Sequence, residues 1–306
     1  MRNILCVTLI ALLGGCTSTS VTEKYQDKRN DIINVKDKVI EFETGNVLIG
    51  SVSRLYMSNK CLLIADHKSV DKQIHIFNKN DFSYLTSIGN FGEGPEEITV
   101  MGCLAIDEAH HQLYVSDHAK QKIFSYDMDS VMVDSLYKPQ VKTAMNETLF
   151  PSEYQYINDT LSIAVLIKPT STSTFNQFLG RWNMNTGEMI PMKYTHPDIQ
   201  KKRITFAASE KAGIYVECYT RHDLMTICSL DGELLYNIYG PDWDGGNGNK
   251  LQSFGTVMIG NDKIFVSYCG EDYARDSFPT KILVFDLEGN YLKTLETGYK
   301  ISDCCY

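Results

Sequence analysis

The chain has 306 residues, 43% of them hydrophobic and 22% charged, with a formal net charge of -9. That acidic balance argues against nucleic acid as a partner, because nucleic-acid surfaces are read by basic patches. Outside Cys6 and Cys16 stand Cys61, Cys103, Cys218, Cys228, Cys269, Cys304 and Cys305, an odd set with no C-x-x-C pair, which suits neither a disulfide framework nor a zinc site.

In chain order, Arg2, the apolar run Ile4 to Leu13 and the small residues Gly14 and Gly15 before Cys16 form a secretory signal too short to span a bilayer. The "LGGC" stretch resembles the lipobox of bacterial lipoproteins, which implies cleavage after residue 15, lipidation of Cys16 and attachment to a membrane through that anchor. Thr17 rather than aspartate follows the cysteine, which favours the outer membrane, on either its periplasmic or its surface face. Residues 16–30 are polar and read as a lipidated cysteine with a flexible tether; residues 31–306 read as one domain.

Within that domain the dominant signal is a repeat. "LLIADH" begins at Leu62, "LYVSDH" at Leu113, "LSIAVL" at Leu161, "IYVECY" at Ile214 and "IFVSYC" at Ile264, with spacings of 51, 48, 53 and 50 residues. Each is followed by a second β-branched and aromatic run, such as "IHIFN" or "KILVFD", then by a polar turn such as "SLDGE" or "DLEGN", then by a third run. A further run, such as "GCLAID", precedes each unit. Four short strands per repeat with no helical pattern between them predict an all-β propeller of four-stranded antiparallel blades. Five of the cysteines fall inside these runs, where cysteine behaves as a small buried hydrophobe.

"IGNFGEGPEE", Ile88 to Glu97, has the glycines of a phosphate cradle, but strand-like Ile98, Thr99 and Val100 follow it and three glutamates lie in or beside it. A cradle needs a helix to open there, so the stretch reads as the corner that carries the chain between blades, and "YGPDWDGGNGN" from Tyr239 occupies a corresponding place. The order "GEGPEE…CLAID…QLYVSDHAKQKIFSYD" resembles the NHL-type propellers. With the lipobox, the "YGPDW" corner and "FDLEGNYLKTLETGYKISD", the chain is similar to the six-bladed, TolB-like propeller lipoproteins of Bacteroidetes. The resemblance implies six blades and no assigned chemistry. Only "YKISDCCY" remains for the sixth, which is therefore expected to be incomplete, with Ile32 to Phe42 as a source of one or two of its strands.

Ligands of propellers sit where the inner strands converge. The histidines fall in turns, loops and outer strands, so no His-rich metal site is expected; Asp66 and Asp117, at matching places in two repeats, read as hairpin caps. The polar residues on inner strands and corners are Arg54, Glu96, Glu97, Gln155, Arg203, Trp243 and Asp244. Arg54 and Arg203 would bind a carboxylate or join a structural ion-pair network; Trp243 would stack on a sugar or peptide or pack onto its own blade. No nucleophile, metalloprotease, nucleotide or EF-hand motif is present. The expected function is a non-enzymatic envelope module that binds or scaffolds a protein, peptide or glycan, without a cofactor. The alternative is a propeller lyase or hydrolase using a divalent cation at the axis.

Overall fold

The computed structural model describes residues 22–134, 136–200, 202–246, 250–275 and 277–306. The stretch read as a secretory signal and Cys16 lie outside the described residues. Two short strands come first, β1 (Glu23–Tyr25) and β2 (Ile32–Asn34). Blade 1 is β3 (Ser53–Met57), β4 (Cys61–Asp66), β5 (Lys72–Asn78) and β6 (Tyr84–Asn90). Blade 2 is β7 (Met101–Asp107), β8 (Gln112–Asp117), β9 (Lys122–Asp127) and β10 (Gln140–Ala144), with the one-and-a-half-turn helix α1 (Met128–Val133) before its last strand. Blade 3 is β11 (Phe150–Asn158), β12 (Leu161–Pro169), β13 (Phe175–Trp182) and β14 (Met189–Pro191). Blade 4 is β15 (Ile204–Ser209), β16 (Ile214–Tyr219), β17 (Leu224–Ser229) and β18 (Leu234–Tyr239). Blade 5 is β19 (Leu251–Gly260), β20 (Lys263–Asp272), β21 (Lys281–Asp286) and β22 (Tyr291–Glu296). Within each blade, successive strands pair antiparallel. The protein is an all-β propeller.

Burial follows from the stacking of blades. Every residue of β4, "CLLIAD", and of β16, "IYVECY", is buried, because a middle strand is covered on both faces by its neighbouring blades. The outer strand β6 begins with exposed Tyr84 and Leu85 and buries only Ile88 and Gly89. The core clusters accordingly run across blade boundaries: Ile74 and Ile76 of blade 1 pack with Leu104 and Val115 of blade 2, and Val216 of blade 4 packs with Val266 of blade 5. Each such aliphatic side chain contributes roughly 1.5–3 kcal/mol by leaving water. The five strand-borne cysteines are buried free thiols, as their apolar settings require.

The aspartates at matching repeat positions do more than cap a hairpin. Asp66 accepts from Lys68 N at 2.9 Å and from Gly50 N at 2.7 Å; Asp117 accepts from Ala119 N at 3.0 Å and from Thr99 N at 2.8 Å. Each carboxylate ties its own turn to the segment arriving from the preceding part of the chain. The glycine-rich corner closes around a cation instead of an anion. Lys120 Nζ donates to the carbonyls of Gly94 and Glu97, both at 2.6 Å, and the Glu97 carboxylate accepts from Gly94 N at 2.8 Å. A Cβ on Gly92 would lie 2.0 Å from Glu97 Oε2, so a side chain there would displace the carboxylate that holds Gly94 N.

Both chain ends depart from expectation. The polar stretch read as a tether is docked from Thr22 onward: β1 pairs parallel with β18, and Asn237 N donates to Thr22 O at 2.7 Å. The segment from Ile32, expected to help build a sixth blade, instead pairs parallel with β22 and extends blade 5 at its outer edge. Unpaired edge strands offer free backbone groups, and the arriving chain satisfies them. Among the described residues there are five blades, and Tyr299 to Tyr306 form no strand. This tail bridges the first and last blades. Asp303 accepts from Leu55 N of blade 1 at 2.8 Å and from Thr256 Oγ1 of blade 5 at 2.6 Å, while Tyr306 stacks on Phe265 with ring centroids 5.5 Å apart.

The imidazoles carry a pH prediction. Burial lowers the pKa of His67, His75, His118 and His196 below the ordinary value of 6.5, so the folded chain holds them neutral. His110 is the one raised, through its hydrogen bond to Asp107. As pH falls through 6.5 the unfolded chain takes up protons at the four depressed sites before the folded chain does, so stability is lost on acidification. The urea midpoint is expected to be lower at pH 5 than at pH 7.5; a midpoint that stays level or rises would contradict this assignment.

Candidate functional site at the propeller axis

The first strand of each blade, β3, β7, β11, β15 and β19, lines the axis, and together with the tail they enclose an open cavity of about 310 Å³. Two features of the sequence shape its wall. Alternation along β11 points Glu153 and Gln155 to the same face, and β3 presents Arg54 and Tyr56 in the same way. The remainder of the wall is largely apolar, with Met57, Phe206, Val257 and Met258 among its residues.

Arg54 organises the polar part. Its Nη1 donates to Glu153 Oε1 at 2.8 Å, and its Nε lies 3.7 Å from Asp303 Oδ2. Because Asp303 also accepts from Leu55 N and Thr256 Oγ1, one network joins blades 1, 3 and 5 through the tail. The side chains of Arg54 and Glu153 keep 42% and 40% of their surface, so this pair faces the cavity and remains open to an incoming group. Burial opposes the charge on Arg54, but Glu153 and Asp303 outweigh it and hold the guanidinium above its usual range. Gln155 accepts from Ala208 N at 2.6 Å and Thr205 Oγ1 donates to Gly255 O at 2.6 Å, which ties blade 3 to blade 4 and blade 4 to blade 5.

The cavity's thiols are poorly suited to attack. Burial raises Cys103 and Cys304 to about 12 and Cys305 to about 11, so all three stay protonated at neutral pH. The axial carboxylates Glu153 and Asp303 are both engaged by a guanidinium, which repels any cation sharing their site.

Of the residues singled out from the sequence, the structure brings together Arg54 and Gln155 at this cavity. Arg203 stands at a neighbouring opening of about 460 Å³ that shares Glu153 with the axis. The others serve corners. Glu96 is a half-buried partner of Lys138 at 2.7 Å, and Glu97 supports the glycine-rich turn. Trp243 packs between Tyr239, His196 and His222, with ring centroids 5.0, 5.7 and 6.0 Å away, the own-blade arrangement of the two considered. Asp244 is exposed, with Oδ1 3.6 Å from His222 Nδ1. Sequence reasoning missed Glu153, Tyr56, Thr256 and Asp303. The two-residue period from Gln155 back to Glu153 was the available signal for the first; nothing local marks Asp303, which reaches the axis only through the tail.

Among the described residues, the group closest to a metal-ligand arrangement is Asp107, His110 and Asp159, whose ligand atoms lie within 4.8 Å of one another on the hairpin turns beside blades 2 and 3, off the axial cavity. Its members are already satisfied. Asp107 binds His110 Nδ1 at 2.8 Å and Tyr114 OH at 3.2 Å, and Asp159 accepts from Tyr156 OH at 2.7 Å.

Among the described residues no helix is long and apolar enough to cross a membrane. None of the curated proteins matches the chain. Solved structures share the fold. A protein from Bacteroides fragilis described as exported superposes with a TM-score of 0.55 at 15% identity, covering 90% of this chain and 80% of that one. A member of the DUF4221 family from Bacteroides vulgatus gives 0.58 at 11% identity, covering 79% and 80%. A chain of the nidogen/laminin complex gives 0.52 at 10%, covering 83% and 82%. The model of the family described as DUF5128, 6-bladed beta-propeller, matches residues 17–178, more than half of the chain, and the protein belongs to that family.

Proposed function

We propose that the protein is a lipid-anchored module of the cell envelope that binds a protein, peptide or glycan partner over the propeller axis without transforming it. The half-exposed Arg54–Glu153 pair carries this reading: it stands in an open cavity whose wall mixes polar and apolar surface, and it offers a cation and an anion at 2.8 Å to groups that enter. A binding cleft combines apolar walls with a few convergent polar groups in this way. The protonated thiols and paired carboxylates support binding over bond cleavage. The lipobox at Cys16 and the exported fold relative support an envelope location, with the outer membrane favoured by Thr17.

The test is capture from native membranes with the full chain and with Arg54→Gln, after thermal melts have shown both to be folded. A partner retained by the parent chain and reduced at least about tenfold by the variant is expected, because a charged hydrogen bond is worth roughly 1.5–3 kcal/mol. Identical recoveries from both chains, or nothing above background from either, would remove the axis as the binding site.

A further inference from the structure

The second opening, between blades 3, 4 and 5, brings two arginines together in a chain of net charge -9. Arg203 and Arg221 both line it, and among the described residues neither has a carboxylate partner. Backbone pairing brings them together: Thr220 N donates to Arg203 O at 2.9 Å, which places Arg221 one residue beyond the rung that continues the β15–β16 ladder. Arg221 is fixed further by lying over the Tyr273 ring, its guanidinium carbon 3.1 Å from the centroid. That contact pre-orients the planar fork and leaves its edge free for an acceptor. The one carboxylate lining the opening, Glu153, is occupied by Arg54. Gln177 and Gln252 add neutral amides that donate and accept.

We infer that this opening is a carboxylate-binding site, in which Arg203 and Arg221 grip the carboxylate of a small organic ligand and Gln177 and Gln252 bond its neutral body. The site rests on the binding-module reading and names the chemical class that such a module recognises. Guanidinium pairs match carboxylates in geometry as well as charge, and an opening of about 460 Å³ has room for a ligand of a few residues. Its distance from Arg54 is short in topological terms, since Glu153 lines both cavities, so one ligand can reach from the outer opening to the axis.

The experiment titrates the full chain by calorimetry with triglutamate and with triglutamine, both N-acetylated and C-terminally amidated so that only triglutamate carries carboxylates, and with citrate as a carboxylate lacking a peptide body. Triglutamate or citrate is expected to bind, with triglutamine at least about tenfold weaker and with affinity falling as salt is raised. Arg203→Ala and Arg221→Ala are each expected to weaken binding about tenfold or more, and Arg203→Lys to recover only part, because lysine keeps the charge and loses the fork. Arg203 is exposed, so its variants keep the fold and the comparison stays clean. Equal binding of triglutamate and triglutamine overturns the carboxylate site while leaving a binding module in place. Failure of all three probes, or binding unchanged in both alanine variants, overturns it as well, and membrane capture through Arg54 then judges the module separately.

Discussion

Replacing Arg29 with alanine is expected to lower the unfolding free energy by about 3–5 kcal/mol, the usual consequence of leaving a buried charge without its partner. Arg29 sits between β1 and β2, where the N-terminal segment crosses from blade 4 to blade 5. Its Nη2 lies 2.8 Å from Asp223 Oδ1, and the two side chains keep only 7% and 0% of their surface. The aromatic rings of Phe254, Tyr268 and Phe285 surround the guanidinium carbon at 5.7, 5.2 and 5.8 Å. Burial already lifts the Asp223 carboxyl above its ordinary range despite the pull of Arg29. Without the arginine that carboxylate must stay charged in an apolar wall or take up a proton, and either route destabilises the fold. Urea unfolding of Arg29→Ala and of Arg29→Ala/Asp223→Asn separates the causes, because the neutral amide removes the stranded charge and should recover part of the loss. An Arg29→Ala chain within about 0.5 kcal/mol of the parent, the range of an ordinary surface substitution, would show that the strap is not held by this pair.

Asp303→Ala is expected to destabilise the protein by about 2–3 kcal/mol, because it strands the Leu55 N–H and removes charge-assisted hydrogen bonds that join blade 1 to blade 5. Location distinguishes this loss from a general one. Elsewhere the inner strands are linked directly, as by Gln155 to Ala208 and Thr205 to Gly255, whereas the meeting of blades 1 and 5 relies on the tail. Amide exchange should therefore accelerate first in β3 and β19, with β11 and β15 following only at global unfolding. Uniform acceleration through all five blades, or none, would mean that Asp303 is not the clasp. The same variant frees Arg54 from one of its two carboxylates, so binding at the axis should be measured alongside stability.

The architecture was legible because it is written locally and repeatedly. Runs such as "LYVSD" and "KIFSYD" declare strands by composition, their near-fifty-residue spacing declares blades, and "DLEGN" or "SLDGE" declares the hairpins between them. The glycine-rich corner was readable for the same reason, since the residues after Pro95 settle whether a helix can open there. Arg54 and Gln155 could be placed at the axis because an inner strand exposes every second residue to it.

What the sequence determined by itself is therefore the strands of the repeat, their hairpin order within each blade, and the face each one shows. The tertiary structure alone decided which distant groups meet. Parallel docking of β1 along blade 4 leaves no local trace, because a polar tether and an edge-covering strand have the same composition, and β2, legible as a strand, carries nothing that says it joins blade 5. Arg29 and Asp223 lie 194 residues apart, and Leu55 and Asp303 lie 248 apart, so neither contact has a periodicity to betray it. Arg203 and Arg221 become one site only when the ladder of blade 4 sets their strand ends side by side and leaves both guanidiniums facing the opening at blade 5. Local chemistry specifies the blades, and closing them into a ring creates the sites, because ring closure is what brings first strands, corners and chain ends to a common axis.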